Sequence, residues 1–121
     1  MKKRILVIEN DRAILELIDI VLKDAGYEVY LSANEENLIS MVNKLQPDAI
    51  ILDILRPSLE GTELCRQLNE TTTTSHIPVI VLSTHPEIQK VKEICADEVV
   101  TKPFDIDGLL EVLSAQLKKA S

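Results

Sequence analysis

Five short runs of β-branched and aliphatic residues, each followed by a stretch whose apolar positions recur at helical spacing, leave this chain few ways to fold. The runs are Arg4 to Glu9, Glu28 to Ser32, Ala49 to Leu52, Pro78 to Leu82 and Glu98 to Val100. The central three are almost uniformly apolar rather than alternating, which is the pattern of strands buried on both faces of a parallel sheet. Between the runs, Ile14, Leu17, Ile18, Val21, Leu22 and Ala25 form one side of a first helix, with Gly26 at its C-terminal cap. Leu38, Met41, Val42 and Leu45 make a second helix, stopped before Pro47. Gly61, Leu64, Cys65 and Leu68 form the inward side of a third, Ile88, Val91 and Cys95 that of a fourth, and Ile106, Leu109, Leu110, Leu113 and Leu117 that of a fifth. The rhythm is that of successive βαβ units, so the expectation is one α/β domain over residues 1–121.

Composition narrows the class. A length of 121 residues suffices for a hydrophobic core without staples. No apolar run is long enough to span a membrane, and the opening Met1-Lys2-Lys3-Arg4 leads into too few apolar residues to read as a secretory signal. A net charge of -7 argues against direct nucleic-acid binding, which is driven by clusters of Lys and Arg. Cys65 and Cys95 fall on helical stretches and read as small buried thiols, pointing to a reducing, cytoplasmic setting.

A doubly wound five-stranded parallel sheet of order 2-1-3-4-5, flavodoxin-like with helices on both faces, binds ligands beyond the carboxyl ends of its strands, where the order reverses. In this chain those ends carry Glu9, Asn10 and Asp11 after the first strand, Asp53 after the third, Ser83 and Thr84 after the fourth, and Lys102 after the fifth. Three chemistries of related folds fail locally. The first turn has no glycine, which a dinucleotide-binding loop needs for backbone approach to a pyrophosphate. Its carboxylates would repel the phosphate of a flavin. Leu55 stands two residues beyond Asp53, where an aspartate-nucleophile phosphatase of the haloacid dehalogenase kind needs an acidic proton donor.

What survives is a phosphoryl acceptor that is not a turnover enzyme. Asp53 is the nucleophile, forming an acyl phosphate. Glu9 and Asp53 supply carboxylates for a small hard cation such as Mg2+. Lys102 and the Ser83 hydroxyl then face the remaining phosphoryl oxygens. Asp11 reads first as a helix N-cap, Ser83 serves nearly as well as a cap, and His76 belongs to a surface loop.

These residues resemble the response-regulator receiver family of bacterial two-component signalling, including its single-domain chemotaxis (CheY-like) type, over essentially the whole chain. The resemblance lies in Ile5-Leu6-Val7-Ile8-Glu9-Asn10-Asp11, in Ile51-Leu52-Asp53 with Pro57 and Gly61, in Pro78-Val79-Ile80-Val81-Leu82-Ser83, and in Lys102-Pro103-Phe104. It implies phosphorylation of Asp53 by a sensor histidine kinase or a histidine phosphotransfer protein, and metal ligation by the Leu55 backbone carbonyl. It leaves open a whole protein or the front of a longer regulator with an output domain, and implies docking or dimerisation through the fourth helix, fifth strand and fifth helix.

The chain departs from the family in four respects. Asn10 replaces a metal-ligating acid, implying weaker Mg2+ binding and slower phosphorylation. Val99 stands where the family often carries an aromatic switch, and Thr84 is bulkier than the usual Ala or Gly. His85 and Leu55 flank the acceptor without an acid or amide to orient water, implying a long-lived phosphoryl group. The competing reading is a degenerate receiver that binds partners independently of phosphorylation. On the surface, Gly108, Val112 and Ala115 of the last helix and Ile20 of the first are the candidate partner contacts.

Overall fold

The computed structural model describes residues 2–34, 37–55 and 57–120. Strand β1 (Arg4–Ile8) leads into α1 (Arg12–Asp24), then β2 (Glu28–Ser32), α2 (Leu38–Leu45), β3 (Ala49–Asp53), α3 (Glu63–Glu70) and β4 (Val79–Ser83). A 3-10 turn at Ile88–Lys90 precedes a single turn of α-helix, α4 (Val91–Ile94), followed by β5 (Glu98–Thr101) and α5 (Ile106–Ala120). All strands are parallel, in the order β2-β1-β3-β4-β5. The expected winding and all five expected strands are present.

The apolar runs are continuous because successive side chains point to opposite faces and both faces are covered. Ile5, Val7, Ile51, Ile80 and Leu82 pack against Leu15, Ile18 and Leu22 of α1 and Leu109, Leu113 and Leu117 of α5. Leu6, Ile8, Ile50, Leu52 and Val81 face the other way, onto Leu38 and Val42 of α2, Leu64, Cys65 and Leu68 of α3, and Ile88 and Val91. Burying each of these large side chains stabilises the fold by about 1.5–3 kcal/mol.

Local chemistry sets the helix ends. The Asp11 carboxylate accepts from the N–H groups of Ala13 (3.0 Å) and Ile14 (3.3 Å), capping α1. At the other end, Gly26 (φ 95°) donates to the Lys23 carbonyl and Tyr27 to that of Leu22, a Schellman closure that needs the left-handed conformation glycine allows. Helix α2 ends at Gln46, also left-handed, just before Pro47.

Several expectations require correction. The inward stripe of α1 is centred on Leu15, Ile18 and Leu22. Leu17, about 100° around the helix from Ile18, is 43% exposed. Met41 and Ile106 likewise sit on helix flanks, exposed. Gly61 precedes α3 and lies outside it, and the fourth helix shrinks to a 3-10 turn and one α-turn. Cys65 and Cys95 are not free thiols: they form a disulfide, with Cα atoms 5.7 Å apart, because α3 and the end of α4 bring two small side chains together on one sheet face.

Candidate functional site

The carboxyl ends of β1, β3, β4 and β5 converge, and each delivers one polar side chain. Glu9 follows the last residue of β1 and is buried (1% exposed), held by its N–H donating to the Ser32 carbonyl (3.1 Å). Such a carboxylate needs partners. It has two: its Oε1 accepts from the Asp11 N–H (3.1 Å) and its Oε2 from Lys102 Nζ (2.8 Å). Asp53, the last residue of β3, accepts from the same Nζ through Oδ1 at 2.9 Å. Lys102 is placed there by its own N–H donating to the Ser83 carbonyl (2.8 Å), which ties the segment after β5 to the end of β4. The Lys102–Pro103 peptide is cis.

One ammonium therefore bridges two carboxylates from different strands. Burial acts to lower the pKa of Lys102, but hydrogen bonds and charge attraction from Glu9 and Asp53 outweigh it, and the pKa lies above the ordinary lysine value.

Ser83 is buried at the end of β4. Its Oγ accepts from the His85 N–H (3.1 Å), so the hydroxyl proton remains available to donate. His85, half-buried, accepts at Nδ1 from the Glu87 N–H (3.1 Å). A neutral imidazole so bonded carries its proton on Nε2. Thr84 is exposed, and Val99 is buried in the sheet core.

A cleft of about 280 Å³ opens beside Asp53, lined also by Glu9, Asn10, Leu55, Asn34 and Glu60. It thus joins the expected Glu9, Asn10, Asp53 and Leu55. Asp11 caps α1 and contributes its backbone N–H to Glu9. Sequence reasoning missed Asn34 and Glu60, which sit in loops after β2 and β3. It also missed Thr62, buried, whose hydroxyl donates to the Ser58 carbonyl (2.8 Å) and accepts from Arg66 Nε (3.1 Å), bracing the loop between Asp53 and α3. The acidic residue one position before Gly61 was the available signal for Glu60.

The cleft suits a small hard cation: the buried carboxylate of Glu9, the half-buried one of Asp53, an amide at Asn10 and the backbone at Leu55 are all oxygen donors. Among the described residues, no group of three or more Asp, Glu, His or Cys could hold a metal ion. No helix among the described residues is long and apolar enough to cross a membrane.

A family model described as the response regulator receiver domain matches residues 5–114. This chain belongs to the response regulator receiver family. The DNA-binding dual master transcriptional regulator RpaA of Synechocystis sp. (strain PCC 6803) is 36% identical over 119 residues, covering 96% of this receiver but 49% of that protein. The receiver thus spans about half the length of this relative. The chemotaxis response regulator CheY4 of Vibrio cholerae is 25% identical with a TM-score of 0.83, covering 96% of this chain and 99% of that one. The receiver domain of a signal transduction histidine kinase from Syntrophus aciditrophicus is 28% identical with a TM-score of 0.85, covering 97% and 91%. A CheY-like receiver domain protein from Methanospirillum hungatei is 25% identical with a TM-score of 0.86, covering 99% and 97%. Receivers of this family act in two-component signalling, where accepting a phosphoryl group and using Mg2+ are general properties.

Proposed function

We propose that this receiver accepts a phosphoryl group on Asp53 from the phosphohistidine of a sensor histidine kinase or histidine phosphotransfer protein, in the cytoplasm, and changes its partner binding as a result. The observation that carries the reading is the Lys102 ammonium held at 2.8 Å from Glu9 and 2.9 Å from Asp53 beside an open cleft. A half-buried lysine so placed pre-positions positive charge where phosphoryl oxygens arrive.

In the transfer, an Asp53 carboxylate oxygen bonds to phosphorus as the bond from phosphorus to the donor imidazole nitrogen breaks, and the departing imidazole keeps the electron pair and takes a proton. Lys102 exchanges one carboxylate for a phosphoryl oxygen. The Ser83 hydroxyl, with its proton free, donates to another. Glu9, Asn10, Asp53 and the Leu55 carbonyl would hold Mg2+, which when bound would neutralise the phosphoryl charge. His85 and Leu55 offer no carboxylate or amide to orient a water, so the acyl phosphate is long-lived. Thr84 narrows access to it, and Val99 carries no aromatic ring, so the response passes through backbone and packing changes toward an output domain or a second copy.

Intact mass after incubation with a small phosphodonor and Mg2+ tests this. One added phosphoryl group, absent from Asp53→Ala, is the expected result. No addition to the folded protein would sink the reading and leave a phosphorylation-independent interaction module, the reading that Asn10, Val99 and Thr84 favour.

A further inference from the structure

Cys65 and Cys95 are the only cysteines of the chain. Both are buried, Cys65 within α3 at 1% exposed and Cys95 immediately after α4 at 6%. Their bond links residues 30 positions apart and closes a loop that contains β4 and the segment from Thr84 to Cys95. A chain of this length, with two packed core layers, does not need a staple in order to fold. The bridge must therefore be judged by what it holds.

It holds the shortest α-helix among the described residues. Helix α4 is four residues long, follows a 3-10 turn, and has no side-chain hydrogen bond at its N-cap. So short a helix has no stability of its own in water. Ile88 and Val91 are its buried anchors, while Ile94 is 42% exposed. At its end, the N–H groups of Cys95 and Ala96 both donate to the Val91 carbonyl at 2.8 Å, so the residue carrying the sulfur also closes the turn. The opposite sulfur lies in a helix of two turns whose Leu64 and Leu68 are firmly buried.

We propose that the Cys65–Cys95 bridge is a reversible thiol–disulfide clamp that fixes the segment between Ser83 and β5 onto α3 when oxidised and releases it when reduced. Its redox partner is a thiol–disulfide couple of the glutathione class. In the oxidising direction Cys95, the less buried sulfur, loses its proton and attacks the disulfide RSSR, giving a mixed disulfide and one RS⁻. The deprotonated sulfur of Cys65 then attacks the Cys95 sulfur, closing the bridge and releasing the second RS⁻. Two electrons pass from the cysteine pair to RSSR, which leaves as two RSH after protonation. Two RSH reverse the sequence. Burial of both sulfurs means that attack requires α4 to lift from the sheet, and its single uncapped turn makes that opening a local event rather than global unfolding.

The test uses the whole chain, equilibrated across mixtures of reduced and oxidised glutathione, alkylated, and weighed to count free thiols. Hydrogen exchange of the segment after Ser83 is then compared between the two end states. The expected result is a transition from two alkylated thiols to none within the series, with the amides of residues 88–96 exchanging at least about tenfold faster in the reduced protein and those of β1 and β3 unchanged. Cys95→Ala and Cys65→Ala are each expected to exchange like the reduced protein at every glutathione ratio. The two wild-type end states carry the test should either variant fail to fold. Thiols that never pair, a bridge that survives fully reduced glutathione, or exchange in 88–96 indifferent to the bridge would each overturn the proposal. None of these readouts depends on phosphorylation of Asp53.

Discussion

The two faces of the sheet bury the same five strands, yet they are built differently. On one side lie α1 and α5, of 13 and 15 residues, the first capped at both ends by side chain and glycine. On the other lie α2, α3 and α4, of eight, eight and four residues, with left-handed residues at both ends of α2 and no side-chain hydrogen bond at the N-cap of any of the three. The site straddles the two. Glu9 runs into α1 and Lys102 into α5, whereas Asp53 leads to α3 and Ser83 to α4. Two of the site's charges, those of Glu9 and Lys102, thus lie beside the long helices. Asp53 and the Ser83 hydroxyl lead into the short ones.

If both faces belong to one cooperative core, truncating a buried leucine on either should cost much the same. Leu113→Ala on the long-helix face and Leu68→Ala on the short-helix face should each lose about 3 kcal/mol in denaturant unfolding. A loss below about 1 kcal/mol at Leu68 would break the comparison, because the short-helix face would then be an appendage rather than core.

Removing the cation that joins the faces comes next. Lys102→Ala leaves two carboxylates together and should lower stability by about 2 kcal/mol without Mg2+, less than a fully enclosed pair would lose because the cleft admits solvent. Mg2+ should restore more stability to this variant than to the wild type, as read by thermal unfolding with and without the ion.

At Gly26 a Cβ meets nothing within 4 Å, so Gly26→Ala isolates backbone conformation and should cost about 1 kcal/mol. Asn10→Asp restores a charged donor and should tighten Mg2+ binding roughly three- to tenfold by calorimetry. Unchanged affinity would mean that Asn10 is no ligand. The smallest effect concerns pH. The Lys102 pKa is raised on folding, so its contribution to stability is complete below the unfolded lysine value of about 10.4 and fades as pH climbs through the higher folded value. Unfolding midpoints of wild type and Lys102→Ala should therefore converge only in strongly alkaline solution.

The strands were readable because runs such as Ile5 to Ile8 and Val79 to Leu82 are buried on both faces, which leaves a continuous apolar signature. The polar residues that end them were readable for the same reason: chain order alone places Glu9, Asp53, Ser83 and Lys102 at one edge of a parallel sheet. Leu17 was misplaced because the α1 stripe is wide enough for Leu15 and Leu17 to compete for its edges, and only packing decides between them. The fourth helix was over-read from the spacing of Ile88, Val91 and Cys95, which a 3-10 turn followed by one α-turn satisfies equally well. Asn34 and Glu60 sit in loops whose paths depend on tertiary packing, and the pairing of Cys65 with Cys95 depends on how α3 and α4 meet.

The central claim rests on Asp53, and borohydride trapping tests it most directly. Treating the phosphodonor-charged protein with borohydride reduces an aspartyl phosphate to homoserine, and peptide mass spectrometry locates the converted residue. The account predicts conversion at position 53 alone, dependent on Mg2+ and strongly reduced in Lys102→Ala. Conversion at Asp11 or another carboxylate, with Asp53 intact, would contradict it.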